Sequence, residues 1–361
     1  MKILYGVTGE GMGHAMRSRV LIEHLVSCGH DVAVVASGRA YSFLRARFPD
    51  VRAIHGLHMI FDGNRLDLPR TLLSNALEGL RGIPRNVAAH FDLLERFRPE
   101  AVISDFDSWS WLYGMMHRLP ILSVDNMQIL DRCELPETLK EGSWAEFHMT
   151  RAFVKSKLPG CDQYFLTSFV RPPTRKPRTQ LFPPILRPEI LAVRPRPGTH
   201  LLVYPPAGDH PELLASLRRL GMECRVYGRW DITEPLVHGN VRELPFDEAT
   251  FIDDLASCRA VIAGGGFTLM GEALHLGKPM LSLPIAGQYE QMLNARCLQL
   301  EGYGAMAESA DVATIQRFMD SLPRFARHLA TYPGRDNRAI ERAVEGWLDE
   351  VGDTSVERLA V

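Results

Sequence analysis

Two short stretches of this chain carry residue types and spacings suited to chemistry on a phosphorylated ligand. Residues 261–304 read VIAGGGFTLMGEALHLGKPMLSLPIAGQYEQMLNARCLQLEGYG. A strand ends there in three glycines and a helix begins at once, near Phe267 or Thr268. Free backbone N–H groups at Gly265, Gly266 and Phe267 and the positive helix end then point out of the sheet, an anion site that fits a pyrophosphate. Thr268 can cap that helix or donate its hydroxyl to a phosphate oxygen. Glu272, one turn deeper, can accept both hydroxyls of a ribose. Glu290 and Gln291 offer acceptors and an amide to sugar hydroxyls, although an ordinary helix start would use the same pair. The other stretch, GVTGEGMGHAMRS from Gly6, sets Gly9, Gly11, Gly13 and His14 between a first strand and a helix. Glycines there suit a tight connection. An imidazole beside them can equally act as a base near neutral pH.

The elements that must position these residues alternate along the whole chain. KILYGV reads as a strand, AMRSRVLIEHLVSCG as a helix ending at Gly29, and DVAVVAS as the next strand, a unit that builds a parallel sheet. AVISDF and PILSVDN continue it across the helical SWSWLYGMMHRL. Residues 171–197 hold eight prolines and read as a stiff linker. The alternation then restarts with THLLVYPP and runs through PMLSLPI. The expected organisation is an α/β chain with an N-terminal Rossmann-like domain at 1–170, a linker at 171–197, and a C-terminal Rossmann-like domain at 198–330. A final helical segment at 331–361 can cross back onto the first domain. Two such halves joined by a hinge place a cleft between the carboxyl ends of both sheets.

Bulk properties narrow the class. The 361 residues suffice for two domains, and a formal net charge of -2 argues against a general nucleic-acid binder. Six cysteines without a Cys-x-x-Cys pair suit reduced, buried thiols better than disulfides or a zinc site. No apolar run reaches the roughly 18 residues of a membrane span, and MKILYGV is too short for a signal peptide. A soluble cytoplasmic protein is expected.

The later stretch resembles the donor half of GT-B glycosyltransferases. It is similar to the pattern of the peptidoglycan N-acetylglucosaminyltransferase and to the UDP-glycosyltransferase signature. Over most of its length the chain resembles a group of bacterial and archaeal glycosyltransferases through GEGMGHAMR, DF after a strand, VDN, EALHLGKP and EQMLNA. The resemblance implies a GT-B fold and an inverting transfer from a nucleoside-diphosphate sugar, in the first instance a UDP-sugar, to an acceptor hydroxyl. It assigns Gly266 and Thr268 to the donor phosphates, Glu272 to the ribose, and Glu290, Gln291 and Asn294 to the donor sugar. It also implies that His14 is the general base and that Asp105, in VISDFDSWSW, orients it. Gly11 and Gly13 would let the loop backbone approach the donor phosphates. The nucleotide sugar is a co-substrate, so no cofactor and no essential metal are expected.

Other features compete with these assignments. Asp105 could instead cap the following helix, and Asp107 reads as structural or acceptor-facing despite the Asp-x-Asp match to a metal motif. His55 and His58 lack a third ligand and read as surface. The first loop of the second half, YPPAGDHPE, carries Asp209 where a phosphate turn is expected, which throws weight onto residues 264–268. Leu244 and Phe246 are candidates to border the nucleobase. The linker's Arg171, Arg175, Lys176, Arg178, Arg187, Arg194 and Arg196 read as a solvated basic stretch, or as a contact for an anionic acceptor or lipid headgroup. The acceptor, a small molecule or a lipid-linked glycan, is lined by residues 64–82 and 126–142 in this reading. A nucleotide-sugar hydrolase of the same fold, using water as acceptor, is the alternative.

Overall fold

A computed structural model describes residues 1–9, 11–56, 61–62, 65–66, 83–140, 144–206, 210–229, 231–333 and 336–359. The chain divides into two compact units. The first comprises Met1–Ile60, Asp67–Ile185 and Asp336–Val361, and the second Phe61–Leu66 and Leu186–Arg335.

In the first unit the strands are β1 (Lys2–Val7), β2 (Asp31–Ala36) and β3 (Val51–Ala53). After a hairpin of β4 (Phe61–Asp62) and β5 (Arg65–Leu66), which belongs to the second unit, come β6 (Ala101–Asp105), β7 (Ile121–Asp125), β8 (Gln163–Thr167) and β9 (Thr179–Phe182). They form one parallel sheet in the order β3-β2-β1-β6-β7-β8-β9. Every residue of β6 and β7 is buried, the pattern of parallel strands covered by helices on both faces. The chain runs outward from β1 to β3 and then returns to β6 on the other side of β1. The carboxyl ends of β1 and β6 therefore flank a topological switch point, where open α/β sheets bind ligands.

The second unit repeats this plan with β10 (Leu201–Tyr204), β11 (Cys224–Val226), β12 (Leu236–His238), β13 (Val241–Glu243), β14 (Ala260–Ala263), β15 (Met280–Ser282) and β16 (Gly304–Met306). Their order is β12-β13-β11-β10-β14-β15-β16, parallel except for β12 against β13. Its switch point lies between β10 and β14, and the triple glycine follows β14.

The proline-rich stretch is more than a linker. Its proline-free TQLF becomes β9 and pairs with β8, which places the flanking prolines at a sheet edge where a missing N–H is tolerated. Several of its basic residues are anchored, while Arg171, Arg178 and Arg194 are exposed. Arg175 and Lys176 bind Asp131, and Arg196 binds Asp253 at 2.6 Å. The last helix, Arg338–Leu359, buries Ile340, Val344, Trp347 and Leu348 in the first unit's core, a spacing that keeps one helix face apolar. Among the described residues no helix is long and apolar enough to cross a membrane.

Candidate active site

At the first switch point, the chain leaves β1 and enters the helix Met12–Ser27 through Gly11. Gly11 has φ 81° and ψ 154°, a region open to glycine alone, so the loop depends on it. His14, Arg17 and Ser18 then share one face of the helix and reach the end of β6. His14 Nδ1 stands 2.8 Å from Asp105 Oδ1. Arg17 grips the same carboxylate with both prongs, Nε to Oδ2 at 2.8 Å and Nη2 to Oδ1 at 2.5 Å. Ser18 donates to Oδ2 at 2.8 Å, and Arg17 Nη1 reaches Asn126 Oδ1, after β7, at 2.6 Å.

The whole cluster is buried, with Asp105 only 1% and His14 8% exposed. Burial pushes the Asp105 carboxyl up, yet the Arg17 guanidinium and then His14 hold it well below the ordinary carboxylate range. Asp105 is therefore ionised. Arg17 Nη2 also stands 2.7 Å from Nδ1, and when Nδ1 donates its proton to the carboxylate, Nε2 is the nitrogen left to act as base. Among the described residues Nε2 makes no hydrogen bond. Asp105 does not cap the following helix. Asp107 does so, accepting from the Ser110 N–H at 2.7 Å, and burial raises its carboxyl. Phe106, between the two acids, lies at φ 54°, an uncommon position for an aromatic residue, and stacks on His14 with centroids 6.5 Å apart.

Arg17, Ser18 and Asn126 complete the cluster; Arg17 closes the GEGMGHAMR motif and Asn126 the VDN motif, without either motif showing that they meet at Asp105. The signal available was their spacing, since i, i+3 and i+4 on a helix face one partner.

At the second switch point the helix Phe267–His275 starts at Gly266, which offers no side-chain cap. Thr268 lies two residues inside the helix, so it is not the cap. Gly266 is exposed, Thr268 half-buried and Phe267 buried. Other residues expected at the donor have partners within the chain. Glu272 is 1% exposed, and its two oxygens receive Arg187 Nε at 2.6 Å and Nη2 at 2.7 Å. It does not present a free carboxylate to a ribose, because a buried acid needs a counter-ion and the linker supplies one. Arg187 also donates to Glu248 at 2.8 Å.

Gln291 and Asn294 hold the glycine corner itself. Gln291 Oε1 accepts from Gly265 N and Ile285 N, each at 3.1 Å, and Asn294 Nδ2 donates to Gly265 O at 3.0 Å. These bonds hold the loop in shape. Glu290 is half-buried in the first turn of the same helix. Leu244 is buried with its N–H on Val226 O, and Phe246 packs 5.5 Å from Phe251. His210 contacts Pro206 O at 2.7 Å, whereas Asp209 lies outside the described residues, as do His58 and, apart from Arg65–Leu66, the segment 64–82. His55 donates its backbone N–H to Asn86.

The glycines of this corner are separable by sterics. A Cβ on Gly265 would stand 2.4 Å from the Gln291 carbonyl, while one on Gly266 meets nothing within 4 Å. Gly265→Ala is expected to lower stability by roughly 1–3 kcal/mol, the range of overpacking. Gly266→Ala should melt with the wild type yet lose nucleotide affinity. Thermal denaturation with and without nucleotide checks both, and wild-type affinity in Gly266→Ala would remove that glycine from the donor site.

An oriented imidazole at one switch point and a glycine corner opening a helix at the other, on two Rossmann-like units, define a GT-B fold. The family model described as glycosyl transferase family 1 matches residues 1–323, and the chain belongs to that family. It is an enzyme, a glycosyltransferase. An uncharacterized glycosyltransferase from Methanosarcina acetivorans is 25% identical over 331 residues, 85% of each chain. One from Methanosarcina mazei is 24% identical over 332 residues, again 85% of each. Among solved structures, the glycotransferase of kitacinnamycin aligns with a TM-score of 0.65 at 17% identity, covering 97% of this chain and 98% of that one. A spinosyn rhamnosyltransferase complexed with thymidine diphosphate aligns at 0.61 and 17%, covering 96% and 100%.

Proposed function

We propose that the protein is an inverting glycosyltransferase in which His14 Nε2 removes the acceptor's hydroxyl proton. The acceptor oxygen then bonds to the anomeric carbon, and the bond from that carbon to phosphate oxygen breaks. The nucleoside diphosphate leaves with the electron pair. Asp105 steadies the imidazolium that forms, and Arg17 keeps Asp105 charged through the cycle. The second unit grips the donor diphosphate at Gly265, Gly266 and the helix they open. The observation that carries this reading is the His14–Asp105 contact at 2.8 Å, clamped from behind by Arg17 and Ser18.

Two further observations support it. The spinosyn rhamnosyltransferase was solved with thymidine diphosphate, and another of its structures holds the spinosyn aglycone. In this chain an apolar ledge adjoins the base: Phe106 meets Phe153 at 6.3 Å, and Phe153 is 42% exposed. The donor is a nucleoside-diphosphate sugar, with UDP and dTDP as the bases to test first. In a thermal-shift panel of UDP, dTDP and GDP, one nucleotide should stabilise the protein by about 2.7 kcal/mol at a hundredfold excess over its Kd. The matching nucleotide sugar should then release diphosphate quickly only when an acceptor alcohol is present. Equal release without acceptor would make the protein a hydrolase, and no shift with any nucleotide would refute the donor site.

A further inference from the structure

A second cluster of reactive side chains lies in the first unit, on residues the transfer chemistry does not use. His24 and Cys28 stand at i and i+4, at the end of the helix Met12–Ser27, and Glu345 meets them from the last helix. Cys28 is the one exposed cysteine of the six. His24 Nε2 lies 3.1 Å from Glu345 Oε1 and 3.7 Å from Cys28 Sγ, and the three ligand atoms all fall within 4.8 Å of one another. Zinc binds nitrogen or oxygen at about 2.0–2.1 Å and thiolate at about 2.3 Å, so tetrahedral ligand atoms stand roughly 3.3–3.6 Å apart. The observed spacings bracket that figure.

The carboxylate shows a second sign of a missing partner. Glu345 Oε1 is shut off from solvent and makes no hydrogen bond among the described residues, although His24 Nε2 is near. Two such atoms 3.1 Å apart can hold either a proton or a metal cation between them. The other oxygen, Oε2, is held at 2.9 Å by His30 Nε2, the outer partner that commonly orients a metal-bound carboxylate. An entry path exists as well. A shallow, open depression beside the cluster is lined by His24 and Glu345 together with Arg338, Glu341, Arg342 and Asp349.

We infer that His24, Cys28 and Glu345 bind a zinc ion, with His30 orienting Glu345 and the fourth position open to water from the depression. One nitrogen, one sulfur and one oxygen suit zinc better than magnesium or calcium, which prefer oxygen alone. Cys28 gives up its thiol proton to solvent as the metal–sulfur bond forms. The ion fastens the last helix to the first, joining residues 317 positions apart and so closing a very long loop.

The full chain, stripped with chelator and titrated with cobalt(II) as a spectroscopic substitute, tests the site. One equivalent should bind and produce a thiolate-to-cobalt charge-transfer absorption, and zinc should displace it. Zinc should also raise the thermal midpoint by several degrees. Cys28→Ser should abolish the absorption, and Glu345→Gln should weaken binding at least tenfold, with circular dichroism confirming that each variant is folded. Cobalt that binds without the charge-transfer band, a band that persists in Cys28→Ser, or no binding at all would overturn the site.

Discussion

His14→Ala should lower kcat by about 10²–10⁴-fold, the usual contribution of a positioned general base, while leaving the fold and nucleotide affinity near wild type. The stability expectation follows from the geometry. Without the imidazole, Asp105 still receives Arg17 Nε, Arg17 Nη2 and the Ser18 hydroxyl, so no buried charge loses its partner. In the proposed mechanism the donor diphosphate is held at Gly265 and Gly266, so this substitution leaves its grip intact. Steady-state release of nucleoside diphosphate with donor and acceptor saturating, set beside nucleotide binding by thermal shift, separates the roles. The variant should lose most of its rate and keep its nucleotide-induced shift. Activity within a few-fold of wild type would mean that another group removes the proton.

The parts of this molecule that were readable in sequence are those fixed by local chemistry. Strands buried on both faces write continuous apolar runs such as AVISD and ILSVD, and glycine at the ends of β1 and β14 marks where chain direction changes. The residues that pair across the fold were much less readable. Glu272 announces a carboxylate one turn into a helix, but nothing nearby says that Arg187, 85 positions earlier, will occupy it. Gln291 and Asn294 have the types expected of sugar ligands, and the same amide chemistry serves to bind the Gly265 backbone instead. The four residues TQLF are too short to stand out from their prolines until β8 offers them a partner. Cys28 looked like one scattered thiol because its carboxylate neighbour comes from the far end of the chain. Arg17 was in plain view, three residues after His14. Its purpose becomes clear only when Asp105 is seen to sit in a site dry enough to require a counter-ion.

That requirement sets up the larger of the expected effects, because Asp105→Asn removes a charge on which two neighbours depend. Four donors converge on the carboxylate: Arg17 twice, Ser18 and His14. A carboxamide has one oxygen to give them, and its NH₂ group, wherever it turns, meets a guanidinium N–H. Arg17, 3% exposed, loses the carboxylate that both its prongs grip, a loss in the range of about 3–5 kcal/mol. The imidazole loses the acceptor that kept its proton on Nδ1, and a triad base deprived of its aspartate falls by up to about 10⁴-fold in kcat. The pH dependence has a definite sign. Burial raises the Asp105 carboxyl, but Arg17 and His14 carry it well below the ordinary value, so its folded pKa is depressed. Its contribution to stability is therefore whole above the unfolded value of about 3.9 and is lost as pH falls through the lower folded value. The thermal midpoints of wild type and Asp105→Asn should differ by a constant amount from about pH 5 to 8 and converge only under stronger acid. A second variant separates stability from catalysis. Asp105→Asn combined with Arg17→Met replaces the guanidinium with an apolar chain, so the midpoint should recover in part while kcat stays low. Recovery of both would make the cluster a structural ion pair and leave His14 without its orienting group. Recovery of the midpoint alone fixes Asp105 as the residue that holds the base.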